Sequence, residues 1–165
     1  MWSAFEKKLE RALQLDLPHS VRLQIPASKQ SAVLLLFAPD DQEHPHVLIT
    51  KRTEHLAAHK GQMAFPGGVC DPEELEDPWR TAVRENEEEV GIPRTLVRRV
   101  GELPRVTTPT GYEMRPYVGL CDRRIDAISL ALSVDEIAET VWVPLRVLED
   151  PATYRRELFR VGAVD

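Results

Sequence analysis

The sequence predicts an α/β (α+β) fold in which helices cover both faces of a mixed sheet. Three observations predict it. Ser31 to Ala38 is a continuous apolar run, the pattern of a strand buried on both faces. Further strand-like stretches follow at His46 to Arg52, Val97 to Val106, Met114 to Cys121 and Glu139 to Val143, separated by turn residues. Two segments, residues 3–16 and 77–91, carry helical rather than alternating periodicity. Strands interleaved with two or three helices pack as layers around one sheet.

Each element has a local reason. Residues 3–16 place Phe5, Leu9, Ala12, Leu13 and Leu15 at roughly helical spacing between Glu, Lys and Arg, an amphipathic helix expected on the outside of the sheet. Pro39-Asp40-Asp41-Gln42 turns the first strand into the second. Thr53 to Gln62 is polar and His-rich and reads as a loop. Met63-Ala64-Phe65 is a short extended piece stopped by Pro66-Gly67-Gly68. Asp77 as N-cap with Pro78 at N1 opens the second helix, and Gly91 followed by Pro93 closes it. Pro144 to Glu149 reads as a short last helix. With 165 residues the chain is expected to be one domain, 1–165, with a genuine core.

A net charge of −6 argues against a nucleic-acid surface. It leaves room for a polyanionic small molecule, since metal ions can bridge two negative partners. Met1 to Glu6 carries no apolar signal core, and the longest apolar run is far too short to cross a bilayer. The expectation is a cytoplasmic protein without membrane partners, its two cysteines, Cys70 and Cys121, reduced. A homodimer is compatible with all of this.

The chemistry concentrates between Phe65 and Ile92. In the helix, Trp79, Ala82, Val83, Asn86 and Val90 share one face; Asn86 interrupts the stripe and, if buried, needs hydrogen-bond partners. Glu85, Glu88 and Glu89 fall at i, i+3 and i+4 on a second face, roughly 120° away. Like charges at that spacing repel, and anions near a helix C-terminus oppose its dipole. A hard cation reverses both penalties through oxygen ligands. No Lys or Arg follows at i+4 to make these glutamates an ordinary salt-bridged face. Glu87 points elsewhere and is expected to be solvated.

Gly68 through Ile92 resembles the Nudix box: Gly, five residues, Glu, seven residues, then Arg-Glu-apolar-x-Glu-Glu-x-Gly-apolar. Gly68, Glu74, Arg84, Glu85, Glu88, Glu89, Gly91 and Ile92 match in type. Nine residues rather than seven separate Glu74 from Arg84, and Asn86 stands at an apolar position. The insertion is expected to lengthen the loop before the helix. Leu48 to Thr53, Gly61 to Gly68, Gly101 to Pro104, Thr110 to Tyr112, Pro116 to Gly119 and Val141 to Leu145 are similar to the coenzyme A pyrophosphatase branch of that superfamily. The branch usually has Arg where Ala57 stands and Ser or Ala where Thr53 stands.

This resemblance implies a Nudix-type α/β/α sandwich with a catalytic loop-helix-loop. It implies hydrolysis of a nucleoside diphosphate linked to another group, with Mg²⁺ or Mn²⁺. Glu85 and Glu89 would be the primary metal ligands, with Glu88 and the Gly68 carbonyl completing the shell. Arg84 would orient a glutamate by an ion pair, and the general base would be Glu88 or Glu136. Arg52, Gly67, Gly68, Thr110 and Tyr112 would bind substrate, Arg52 within a cationic group that includes Lys51, His55, His59 and Lys60. The substrate implied is coenzyme A or an acyl derivative. ADP-ribose or a dinucleotide is the alternative, and a catalytically silent nucleotide-binding module is a third.

Overall fold

The computed structural model describes residues 1–14, 26–55 and 60–155. The chain runs through α1 (Trp2–Leu13), β1 (Gln30–Pro39), β2 (Pro45–Arg52), β3 (Met63–Ala64), β4 (Gly67–Val69), α2 (Trp79–Val90), β5 (Arg98–Glu102), β6 (Val106–Thr107), β7 (Glu113–Leu120), β8 (Ile137–Pro144) and α3 (Leu145–Glu149). These strands form one mixed sheet with core order β3-β2-β1-β7-β5, to which β4 adds on β1, β6 on β7 and β8 on β2. β1 is the centre. It runs parallel to β7 along its length, from Gln30 opposite Glu113 to Phe37 opposite Leu120. Its other edge is shared: β2 pairs with Phe37–Pro39, and β4 pairs with Ser31–Val33. That sharing explains the unbroken apolar run, because a central strand presents no solvent face.

Two cores lie on the two faces. On one, α2 sets Ala82, Val83 and Val90 against Leu34, Leu36, Leu48, Tyr117 and Ile92. Trp79 closes this core edge-on to Tyr117, ring centroids 5.8 Å apart. On the other, α1 turns Trp2, Phe5, Leu9 and Leu13 toward Phe37, Val47, Val118 and Leu120, and α3 adds Leu145 and Leu148. Helices therefore flank the sheet on both sides, as the periodicity predicts. α1 ends at Leu13; residues 15 and 16 of the expected helix lie outside the described residues.

Two expectations are corrected. The expected stop at Gly67-Gly68 is a strand, β4, because two residues without side chains can lie flat against the β1 backbone. The expected strand 97–106 is two pieces, β5 and β6, broken around Leu103-Pro104-Arg105. Proline has no N–H for the ladder, so pairing lapses there.

Asn86 is fully buried. Its Nδ2 donates to Ile92 O at 3.4 Å, a long bond, and its Oδ1 has no partner among the described residues. An unsatisfied buried acceptor offsets most of what its packing contributes. Asn86→Ala is therefore expected to change unfolding free energy by less than about 1 kcal/mol, whereas Ile92→Ala, which only opens a cavity, costs about 2–5 kcal/mol. Urea unfolding of the two variants checks the contrast.

Candidate active site

α2 begins at Trp79, later than the sequence suggests, and no side chain caps it. Asp77, expected as the cap, instead pairs with Arg99 at 3.1 Å. The C-terminal end is firmly held. Gly91 takes the left-handed conformation (φ 77°) and its N–H donates to Glu87 O. The Val90 and Glu89 carbonyls accept from Ala131 N and Ser133 N, both at 2.9 Å. A loop between β7 and β8 thus supplies the donors that an exposed helix end would take from water. Glu87 is not merely solvated: Arg94 Nε donates to its Oε2 at 2.6 Å and Arg94 N to its Oε1 at 3.2 Å.

This end of α2 abuts the Gly67-Gly68 strand. Glu89 is 3% exposed. Gly67 N donates to its Oε2 at 3.3 Å, and Arg52 Nη1 stands 3.5 Å from its Oε1. Burial, and then repulsion from Glu85 and Glu136, push its carboxyl up to about 7 despite those two partners. Glu85 lies against Gly68 so closely that a Cβ on that glycine would overlap its carboxylate. Burial also raises Glu85, against the pull of Arg84 and with help from Glu88 and Glu136. A buried and a half-buried carboxylate that each resist ionisation, meeting at one backbone notch, are an unfavourable arrangement for a protein alone.

Arg84 is the hub of this surface. Its Nη1 donates to Glu85 Oε1 at 2.9 Å and to Glu88 Oε2 at 3.0 Å. Its Nε and Nη2 hold Glu74 Oε1 and Oε2 at 3.2 Å each, and Asp71 lies 3.5 Å away. The two-residue insertion does not displace Glu74. Residues 75–78 and the first turn of α2 span the longer interval, and Thr81 Oγ1 donates to Glu74 Oε2 at 2.7 Å. Burial disfavours the Glu74 charge, but the bonds from Arg84 and Thr81 outweigh it and hold the carboxyl below the usual range. The sequence did not single out Thr81; its place three residues before Arg84, on the same helix, was the available signal.

The remaining expected residues divide. Glu136 is half-buried and close enough to raise both Glu85 and Glu89. Arg52 reaches Glu89, and its buried Nε has no partner among the described residues. Glu88 is turned to Arg84 and is largely exposed. Thr110 and Tyr112 sit at the same end of the sheet but group with Lys29: its Nζ donates to Thr110 O at 3.2 Å and stands 5.9 Å from the Tyr112 ring centre. Lys51 pairs with Glu139 on β8, His55 is exposed, and Ala57 and His59 lie outside the described residues. A cavity of about 330 Å³ between α1 and α3, lined by Phe5, His44, Pro45 and Leu145, is remote from all these groups. Here chemistry rather than cavity size marks the site.

Among the described residues, no three His, Cys, Asp or Glu side chains stand together as a ready ligand set. Arg84 draws Glu85 and Glu88 to itself, while Gly67 and Arg52 hold Glu89. The donor chemistry nevertheless fits a hard divalent cation: Glu85 and Glu89 are oxygen ligands, are neighbours, and have their charge disfavoured by burial despite the arginine beside each.

The NUDIX domain family matches residues 28–161. A Nudix hydrolase of Yersinia enterocolitica, NudL, described only as uncharacterized, is 40% identical over 101 residues, 61% of this chain and 50% of that protein. NudL of Yersinia pestis has the same identity over 49% of its length. The chain thus spans about half the length of the curated relatives it matches. Among solved structures, the Nudix hydrolase RenU of M. smegmatis superposes with a TM-score of 0.58 at 24% identity, covering 74% of both chains. The C. elegans Ap4A hydrolase superposes at 0.57 with 19% identity, covering 76% of this chain and 86% of that one. The NUDIX domain of Shewanella oneidensis NrtR, crystallised with ADP ribose, superposes at 0.53 with 19% identity and 86% of both chains. At these identities the superpositions establish the fold alone.

Proposed function

The chain belongs to the NUDIX domain family, and from that premise we propose that it is a metal-dependent pyrophosphohydrolase cleaving the diphosphate of coenzyme A or an acyl-CoA. The products would be adenosine 3′,5′-bisphosphate and a 4′-phosphopantetheine derivative. The observation that carries the reaction type is the meeting of Glu85 and Glu89 with the Gly67-Gly68 backbone and Arg52. The substrate rests on the resemblance of Leu48 to Thr53 and Gly61 to Gly68 to the coenzyme A pyrophosphatase branch.

Nudix hydrolases generally use divalent metals; Glu85 and Glu89, with Glu88 in support, would hold Mg²⁺ or Mn²⁺, which supplies charge neutralisation at the diphosphate and a more acidic water. The chain's own residues do the rest by position, as phosphoryl transfer requires. Arg84 fixes the orientation of Glu85 through a bond at 2.9 Å. Arg52, its Nη1 3.5 Å from Glu89 Oε1, brings a guanidinium suited to a phosphate oxygen to the same place. Glu136 faces the two carboxylates and would take the proton of the attacking water, as a base within hydrogen-bond reach can. Glu88, bound to Arg84 in the open, is the alternative base.

Thr53 and Ala57 stand where the branch usually has other residues, which favours a second reading: the same chemistry on ADP-ribose or a dinucleotide. The NrtR domain and the Ap4A hydrolase make those the natural comparators. Incubation with Mn²⁺ and each of coenzyme A, ADP-ribose and diadenosine tetraphosphate, followed by chromatography, decides. Adenosine 3′,5′-bisphosphate from coenzyme A is the expected result. Preferential turnover of another diphosphate moves the assignment to that substrate, and binding without turnover of any makes the chain a nucleotide-binding module.

A further inference from the structure

Thr53 is 6% exposed at the end of β2, yet it forms no part of the proposed metal or phosphate machinery. Its Oγ1 donates to Asp135 O and its N–H to Glu136 O, both at 2.8 Å. The residue before it, Arg52, is the one that reaches Glu89. The far side of the same loop is fastened to α2: Ser133 N donates to the carbonyl of Glu89 itself and Ala131 N to that of Val90. Inside the loop, Glu136 N and Ile137 N both close onto Ser133 O at 3.0 and 2.8 Å. The peptide carrying Glu136 is therefore clamped at two points, one on β2 and one on the helix that bears Glu85 and Glu89.

We propose that Thr53 is a positioning residue: its hydroxyl, through Asp135 O, sets where the Glu136 carboxylate stands relative to Glu85 and Glu89. This rests on the reading that places Glu136 at the reacting water. Two hydrogen bonds from one residue to successive carbonyls define the direction of a peptide as well as its distance, which one bond cannot do. Exposed Val134, two residues before Glu136, contributes no packing on that side, and buried Ile137 anchors the residue that follows. The backbone bond to Glu136 O survives any substitution except proline, so the hydroxyl can be removed alone. Serine keeps the donor, and valine keeps the shape without it.

The test uses the full chain as Thr53→Val, Thr53→Ser and Glu136→Gln, with Mn²⁺ and whichever of coenzyme A, ADP-ribose and diadenosine tetraphosphate the parent turns over fastest. Thr53→Val is expected to lower kcat about ten- to a hundredfold, since a misplaced group costs that order, with KM within about twofold. Amide hydrogen exchange at residues 133–137 should quicken in the same variant. Thr53→Ser should restore both. Parent-like kcat in Thr53→Val beside a loss in Glu136→Gln overturns the proposal and leaves Glu136 in place. Parent-like kcat in Glu136→Gln removes Glu136 from the reaction and the proposal with it. The exchange measurement needs no substrate: unchanged exchange at 133–137 in Thr53→Val, or in Thr53→Ala should the valine variant not fold, also overturns it.

Discussion

Glu89→Gln is expected to abolish turnover while making the metal-free protein more stable. Residues that merely orient metal ligands cost about 10–100-fold when removed, so a direct ligand should cost at least about 100-fold. The stability gain has an electrostatic origin. In the folded chain, burial and the neighbouring Glu85 push the Glu89 carboxyl up to about 7, against an unfolded value near 4.5. Between those two pH values the folded state holds a proton that the unfolded state has released. The folded form therefore loses stability as pH rises through that window, and the loss is complete above it. At about 1.4 kcal/mol per unit, the charge burdens the fold by on the order of 3 kcal/mol at pH 8. Glutamine carries no such burden. In EDTA the variant should match the parent near pH 4.5 and exceed it increasingly up to pH 7 or so, read by thermal unfolding across pH. A variant that loses stability at pH 8 without metal would mean that Glu89 supports the fold, and the metal assignment would lose its physical basis.

Arg84→Met is expected to be the most damaging single change to the fold at this site. Arg84 satisfies the buried Glu74 through Nε and Nη2 and also holds Glu85 and Glu88. Removing one partner of a buried pair leaves the other charge uncompensated, at a cost of about 3–5 kcal/mol. Pairing the change with Glu74→Leu should recover most of that stability, because an apolar pair removes the stranded charge. Activity should not recover, since Glu85 still lacks its 2.9 Å anchor. Denaturant unfolding and turnover on the single and double variants separate the two roles. If the double variant regains activity, Arg84 acts only through stability.

Several features were legible because they depend on near neighbours in the chain. The apolar run of β1, the stripe on α2 and the Gly91 stop are local patterns, and each element appears within a residue or two of its expected place. The grouping of Glu85 and Glu89 on one face follows from helical spacing. The fold departs from those patterns where a residue outside the element supplied the deciding bond. Gly67-Gly68 became a strand because β1 offered it a free edge. Glu87 became an ion pair because the chain turns at Pro93 and returns Arg94 to it. Asp77 was taken from its cap by Arg99 on β5.

The acidic helix end, its neighbouring glycines and the arginine one residue ahead were all written in the order of residues 65–92, and with them the family and the class of chemistry. Only the folded chain decided what surrounds that cluster: that Glu74 keeps its place despite the longer spacing, that Arg52 arrives from β2, and that a loop some forty residues downstream ties Glu136 into the same group. Periodicity and spacing act over a few residues, whereas burial and charge compensation depend on which strands become neighbours. That neighbourhood is a property of the sheet, and no single segment carries it.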